Sequence, residues 1–246
     1  MFSPYQQHPT VTLFLFLIEV SGLLYVYAFC PQPSTPLTLP AGIAHATVQI
    51  ITGEKLAAIA EPDIDVAQIK DDDQQLMGAI LAHDHVLVQL FDQTTLLPLR
   101  FGTQFQDTAS LETYLRTHQE THLKTLTALT DRAEYLVKLN PQAYNPMPVD
   151  EPSKGREYFL AKKKRLQAQT QFQAQQTSEL QQFVGHLEAT PMQYLEGSPQ
   201  EEQVRFHILA DRDATGIQSH LETWQQQLPS WEISLSDPLP PYHFAQ

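Results

Sequence analysis

A chain of 246 residues, 42% of them hydrophobic, with a mean hydropathy of −0.29, can build one large or two small packed domains, which excludes a wholly disordered polypeptide. Its 28 acidic residues against 15 basic ones give a formal charge of −13, which does not attract nucleic acid or anionic lipid over long range. A single cysteine, Cys30, excludes an intrachain disulfide scaffold and zinc sites built on several thiolates, and a reducing cytoplasm is the simplest compartment.

Residues 11–30 are strongly apolar and nearly long enough to span a bilayer. Glu19 sits inside the run, Ser21-Gly22 break it, and no Lys or Arg precedes it, so the basic flank of a signal peptide or an oriented membrane helix is missing. The run reads instead as one or two buried strands. Residues 23–29 are the better of the two, with Tyr25, Val26, Tyr27 and Phe29 favouring extended backbone. Four prolines between 31 and 40 make a loop. Residues 46–51 and 56–60, joined by a turn at Thr52-Gly53-Glu54, predict a hairpin.

Asp71-Asp72-Asp73 place three carboxylates where a helix begins and complement its N-terminal dipole. Leu76, Ile80, Asp84 and Leu87 follow at helical spacing, Met77 and Leu81 broaden the stripe, and the helix is expected to fray near Phe91. Residues 95–101 return as a strand, with Pro98 assigning it to an edge, a bulge or a loop. Thr108 or Ser110 caps a further helix carrying Leu111, Leu115, Leu126 and Leu129, and residues 134–139 are a short strand. Strands with two interposed helices predict an α+β unit, helices on one face of a sheet, like a modified ferredoxin fold.

Residues 140–152 hold four prolines and form the expected linker. Ser153 caps a long helix to about Ala189, basic at Lys162-Lys163-Lys164-Arg165 and glutamine-rich in its middle. Phe159, Leu166, Gln173, Leu180 and Leu187 recur every seven residues. With glutamine at the centre, that heptad permits a partner helix without demanding one, and packing on its own sheet is preferred. A strand at 204–209, a helix at 215–228 with Ile217, Leu221, Trp224 and Leu228 on one side, and a strand at 231–235 complete a second mixed unit. The expected organisation is an extension at 1–22, an α+β domain at 23–140, a second at 153–236 and a proline-rich tail at 237–246.

Chemistry-bearing patterns are sparse. His83-Asp84-His85 are adjacent on a helix and diverge, so they do not converge on one ion. His118 and His122 share a helix face, and neither Glu112 nor Glu120 is placed to complete a ligand set. There is no glycine-rich phosphate loop and no GxSxG elbow. Cys30, between an apolar strand and Pro31, reads as a buried inert thiol, and the Lys162–Arg165 run as a solvated helix face that could touch an acidic partner.

Several segments, in order, carry a resemblance. Residues 25–30 (YVYAFC) resemble the opening strand of the gas vesicle GvpF/GvpL family, and 56–60 (LAAIA) its second strand. Residues 83–87 (HDHVL) are similar to its helix end, 97–103 (LPLRFGT) to its most characteristic run, and 134–138 to its E-x-x-V-K strand. Residues 155–160 (GREYFL) match the start of its long helix, and 240–244 (PPYHF) its terminal motif. Two features depart from the pattern. Asp237-Pro238-Leu239-Pro240 stand where the family has Gly-Pro-Trp before that motif, and residues 1–22 precede the family start.

The resemblance implies two modified ferredoxin-like α+β domains, a role in building gas vesicles, and association with the small shell protein GvpA or other gas vesicle proteins. It implies location at the gas vesicle, a cytoplasmic organelle. It implies no catalytic residue; the acidic charge, the missing basic flank and the sparse motifs predict no nucleic-acid or membrane partner, no cofactor and no metal. Within the motifs, Arg100 can tie a strand end to a carboxylate or reach a partner, beside Phe101. Gly102 suits a backbone angle other residues resist. Arg156 and Tyr158 could clamp the two domains, and Tyr242 and Phe244 are expected to seat the tail on the other domain. Two other readings stand beside assembly: a soluble chaperone-like module keeping shell subunits dispersed, and a metal-dependent enzyme using His118 and His122.

Overall fold

Residues 24–30 form a strand buried on both faces, and the first sheet is built around it. This is the computed structural model of the chain, which describes residues 22–43, 47–145, 155–198, 200 and 202–245. The apolar run before residue 22, Ala46, most of the proline-rich linker and the expected cap Ser153 lie outside the described residues.

β1 (Leu24–Pro31) pairs antiparallel with β3 (Leu56–Pro62), which pairs in turn with β2 (Gln49–Thr52) as the expected hairpin. β4 (Leu97–Pro98) and β5 (Gln104–Phe105) line the other edge of β1. Pro98 donates no ladder hydrogen bond, which is why β4 is short and lies on the edge. A bulge between Val26 and Ala28 reverses the alternation of β1. Tyr25, Tyr27, Ala28 and Cys30 therefore enter one core, and Leu24, Val26 and Phe29 the other.

α1 (Val66–Lys70) leads into α2 (Asp73–Phe91), whose N-cap Asp72 accepts hydrogen bonds from the backbone N–H groups of Gln74 and Gln75. The face α2 buries is Ala79, His83, Val86, Leu87, Leu90 and Phe91. Met77, Ile80 and Leu81, expected in the buried stripe, are exposed. The stripe is rotated because His83 turns inward to hydrogen-bond partners that periodicity alone does not show.

The next helix is broken in two, α3 (Thr108–Thr117) and α4 (Gln119–Ala128). Asp107 is the N-cap of α3, closing a reciprocal capping box with Ser110. The break falls at His118, which leaves helical geometry while its backbone N–H and its Nδ1 both bond the Tyr114 carbonyl.

β6 (Arg132–Pro141), expected to close the first unit, belongs to the second sheet. With β7 (Gln193–Glu196), β8 (Val204–Asp211) and β9 (Trp231–Leu235) it makes an antiparallel sheet of order β7-β8-β6-β9. It pairs with β8 from Arg132↔Asp211 to Leu139↔Val204, and with β9 from Val137↔Leu235 to Pro141↔Trp231. Paired along both edges, β6 is interior to its sheet, and its partners lie far along the chain.

α5 (Arg156–Ala189) starts at Gly155 and buries only Glu179, Phe183 and Leu187. Glu179 accepts the N–H and hydroxyl of Ser230, at 3.1 and 2.5 Å, and a hydrogen bond from Gln175, which locks this end of α5 to the turn between α6 (Thr215–Gln227) and β9. Phe159 and Leu166 of the heptad are exposed and Leu187 is buried, so the seven-residue repeat forms no continuous seam. Residues 156–171 of α5, before Phe172 meets Tyr144 and Gln176 reaches Gln142 and Ser230, make a mostly exposed arm of about 24 Å.

The α+β expectation is what the structure shows: two antiparallel sheets with helices packed against them. One apolar cluster runs through both, from Tyr25, Val86 and Leu90 to Tyr135, Phe183, Trp224 and Trp231. A second lies on the other face of β1 under α3 and α4, and takes in Leu209 of β8.

Candidate functional site

The characteristic run at 97–103 ends in a turn in which the Arg100 carbonyl accepts from both Thr103 N–H and Thr103 Oγ1. Arg100 is exposed and Phe101 half-buried. Gly102 has φ +90°, in the left-handed region where a side chain is strained, as expected for it. Its N–H donates to the Tyr25 hydroxyl at 3.4 Å.

That hydroxyl opens a buried polar chain. Tyr25 Oη lies 2.7 Å from His83 Nδ1, and His83 Nε2 lies 3.2 Å from the Leu99 carbonyl. A carbonyl only accepts, so Nε2 carries the hydrogen and Nδ1 accepts from Tyr25. Every polar atom of His83 is satisfied in its neutral form. Burial lowers its pKa to about 4, against smaller opposing effects from the Leu99 carbonyl and Asp84. The ring stacks on Tyr27 and meets Phe101 edge-on. Beside it, Tyr27 donates to buried Glu61, whose carboxylate also accepts the Ile43 N–H at 2.8 Å. Burial, then this hydrogen bond, pushes the Tyr27 hydroxyl far above its usual range. His83-Asp84-His85 thus diverge as expected: His83 points inward, Asp84 bonds the tail, and His85 bonds Gln89 on its own helix.

The tail runs along β6 beyond the end of β9. Ser236 N–H donates to the Leu136 carbonyl, and Leu239 and Glu134 exchange both backbone hydrogen bonds. Tyr242 then donates to Asp84 on α2, and burial followed by Asp84 raises its pKa. Tyr242 packs against the core shared by both sheets, and Phe244 against the cluster under α3 and α4. Arg212, just after β8, makes a further tie to α2: its guanidinium sits 3.9 Å over the Phe91 ring and 2.8 Å from Asp92. Nothing in the local sequence signalled Arg212.

Arg156 and Tyr158 occupy the first turn of α5, both exposed, with the Tyr158 ring against Phe159. His118 stacks on Tyr114 at 4.2 Å, and His122 Nε2 lies 3.3 Å from the Tyr114 hydroxyl, so a tyrosine rather than a carboxylate accompanies the pair. Burial raises the Cys30 thiol to about 12, the property of an inert core cysteine. Among the described residues, no helix is long and apolar enough to cross a membrane. The grouping with metal-ligating donors that sequence reasoning missed is Glu134, His207 and His243, on β6, β8 and the tail.

Comparison with known proteins agrees with this architecture. The family described as "Gas vesicle synthesis protein GvpL/GvpF" matches residues 23–246. Gas vesicle protein F of Streptomyces sp. (strain CB03234) is 26% identical over 245 residues, covering 92% of this chain and all of that protein. The crystal structure of GvpF from Anabaena sp. PCC7120 superposes with a TM-score of 0.65 over 92% of this chain and 97% of its own. That of GvpF from Microcystis aeruginosa superposes with 0.63 over 91% and 99%. Both are 18% identical to this chain and establish the shared fold. On the family match, which spans both sheets and the tail, the chain belongs to the GvpL/GvpF family of gas vesicle proteins, which is not a known enzyme family.

Proposed function

We propose that this protein is an accessory or minor structural component needed for gas vesicle assembly, and that it binds the shell protein GvpA. Family membership supports the setting. The observation that carries the binding role is the arm of α5, where Tyr158, Phe159, Leu160 and Leu166 are 36%, 69%, 49% and 64% exposed. Large apolar side chains held out on a rigid helix suit an apolar partner. Exposed Arg156 and the Lys162–Lys164 run lie on the same helix as that surface, while Arg100 is exposed on the turn that Phe101 and Gly102 hold. Tyr242 and Phe244 act by fixing the tail. On this reading the protein works at the gas vesicle, inside the cytoplasm.

Deleting the protein from a gas vesicle operon is expected to abolish or deform the vesicles, and normal vesicles would overturn the proposal. The chain's −13 charge favours a second reading, a module that keeps shell subunits dispersed without entering the shell. Stripping purified vesicles and probing for the chain separates the two. Retention supports a shell component, whereas absence together with reduced light scattering of GvpA in its presence supports the dispersing role.

A further inference from the structure

Three side chains able to ligate a metal meet where the tail crosses the second sheet. Register pairs Glu134 with Leu209 and Leu136 with His207, so Glu134 and His207 are diagonal neighbours on one face. His243 arrives from the tail, beyond the Leu239–Glu134 bridge. His207 Nδ1 is 2.8 Å and His243 Nδ1 2.7 Å from the same oxygen, Glu134 Oε1, and the two imidazole centroids are 3.7 Å apart. One donor atom from each residue lies within 4.8 Å of the other two.

We propose that Glu134, His207 and His243 form a binding site for a divalent transition-metal ion, with zinc the best fit. Two imidazole nitrogens and one carboxylate oxygen make a borderline donor set that favours zinc and its neighbours over magnesium or calcium. A tetrahedral ion with bonds of ~2.0–2.1 Å sets its donors about 3.3 Å apart, so each Nδ1···Oε1 distance opens by about 0.5 Å on binding. For a neutral imidazole, moving the proton from Nδ1 to Nε2 turns the Nδ1 lone pair to the ion.

The surroundings hold two of the ligands in place. Glu134 is 1% exposed, and its second oxygen accepts the His243 backbone N–H at 2.8 Å. Gly197 lies against the His207 ring: a Cβ there would stand 3.0 Å from Nε2 and 3.3 Å from Cδ2. Such outer contacts orient ligands and raise metal affinity. The third ligand faces water, with the His243 side chain 46% exposed. It gives an ion its entry path and leaves a coordination position for solvent. A bound ion would fasten the tail to β6 and β8.

The test is titration of zinc chloride into the full-length chain, stripped of metal with a chelator, followed by calorimetry and by melting temperature. Cobalt(II) absorption reports the coordination geometry. The expected result is one zinc per chain at micromolar Kd or tighter, a higher melting temperature with zinc, and visible cobalt bands of a four- or five-coordinate site. His243→Ala is expected to weaken binding at least tenfold and to abolish the thermal shift. Because His243 lies on the half-exposed tail, this variant does not depend on refolding the sheet. His118→Ala/His122→Ala is expected to bind as the unsubstituted chain does. Absence of saturable binding, unchanged affinity in His243→Ala, or loss of binding in the His118/His122 variant would each overturn the assignment.

Discussion

Tyr242 donates its hydroxyl hydrogen to the carboxylate of Asp84, joining the tail to the outer face of α2. Replacing Tyr242 with Phe keeps the ring in the shared core and removes that bond alone. A hydrogen bond to a charged but solvent-accessible acceptor contributes ~1 kcal/mol. Tyr242→Phe should therefore lower stability by about that much and speed hydrogen exchange of residues 239–244. Unchanged exchange there would mean that the backbone bonds at Leu239 hold the tail unaided.

His83 makes stability depend on pH. Its pKa is depressed from the ordinary 6.5 to about 4, so between those values the unfolded chain binds a proton that the folded chain does not. The stabilisation is complete above about pH 6.5 and is lost as pH falls toward 4, a difference of roughly 3 kcal/mol. His122, lowered by burial and then by His118, acts in the same direction. Urea unfolding at a series of pH values should show this slope, and His83→Gln should flatten it. An equal slope in the variant would assign the effect elsewhere.

Gly102→Ala places a Cβ at φ +90°, where space remains beside Val66 but the backbone is strained. The expected loss is ~1–2 kcal/mol. Because the Gly102 N–H holds the Tyr25 hydroxyl, the near-ultraviolet signal of the buried tyrosines should change as well. A neutral substitution would show that the turn relaxes.

Arg212 contacts both an aromatic ring and a carboxylate, and magnitudes decide between them. Asp92 is 74% exposed at its side chain, so the ion pair contributes little in water. The cation over the Phe91 ring contributes ~0.5–1 kcal/mol. Arg212→Ala should destabilise by about 1 kcal/mol, Asp92→Ala by clearly less, and neither loss should depend strongly on salt. A loss that vanishes in high salt would assign the tie to the ion pair.

Phe159→Ser and Leu166→Ser test the arm. Both side chains are mostly exposed, so stability should stay within ~0.5 kcal/mol of the unsubstituted chain. Capture of GvpA by the purified variants should fall several-fold. Full capture would move the contact away from α5.

The local elements were readable because local chemistry sets them. A run of β-favouring apolar residues gave β1, a Gly-containing turn gave the hairpin, and aspartates fixed the start of α2. What was not readable depends on distant partners. The assignment of β6 rests on pairing with residues 204–211 and 231–235, which no periodicity announces. His83 turned α2 about its axis because of a hydroxyl 58 positions earlier. The Glu134 group joins residues separated by 73 and 109 positions. Nothing in the sequence marked it, because Glu134 falls in step with Lys138 on alternate positions of β6, and only the fold shows Glu134 buried where Leu136 and Lys138 are half-exposed. A carboxylate covered where its neighbours on the same face are wet needs a donor from elsewhere. That donor set proved to be His207 and the tail.

The tail also has a consequence for synthesis. Asp84 precedes Tyr242 by 158 positions. At ~5–20 residues per second, the ribosome releases α2 roughly 8–30 s before the segment that seals it. For that interval the nascent first sheet leaves uncovered the ground that Tyr242 and Phe244 later occupy.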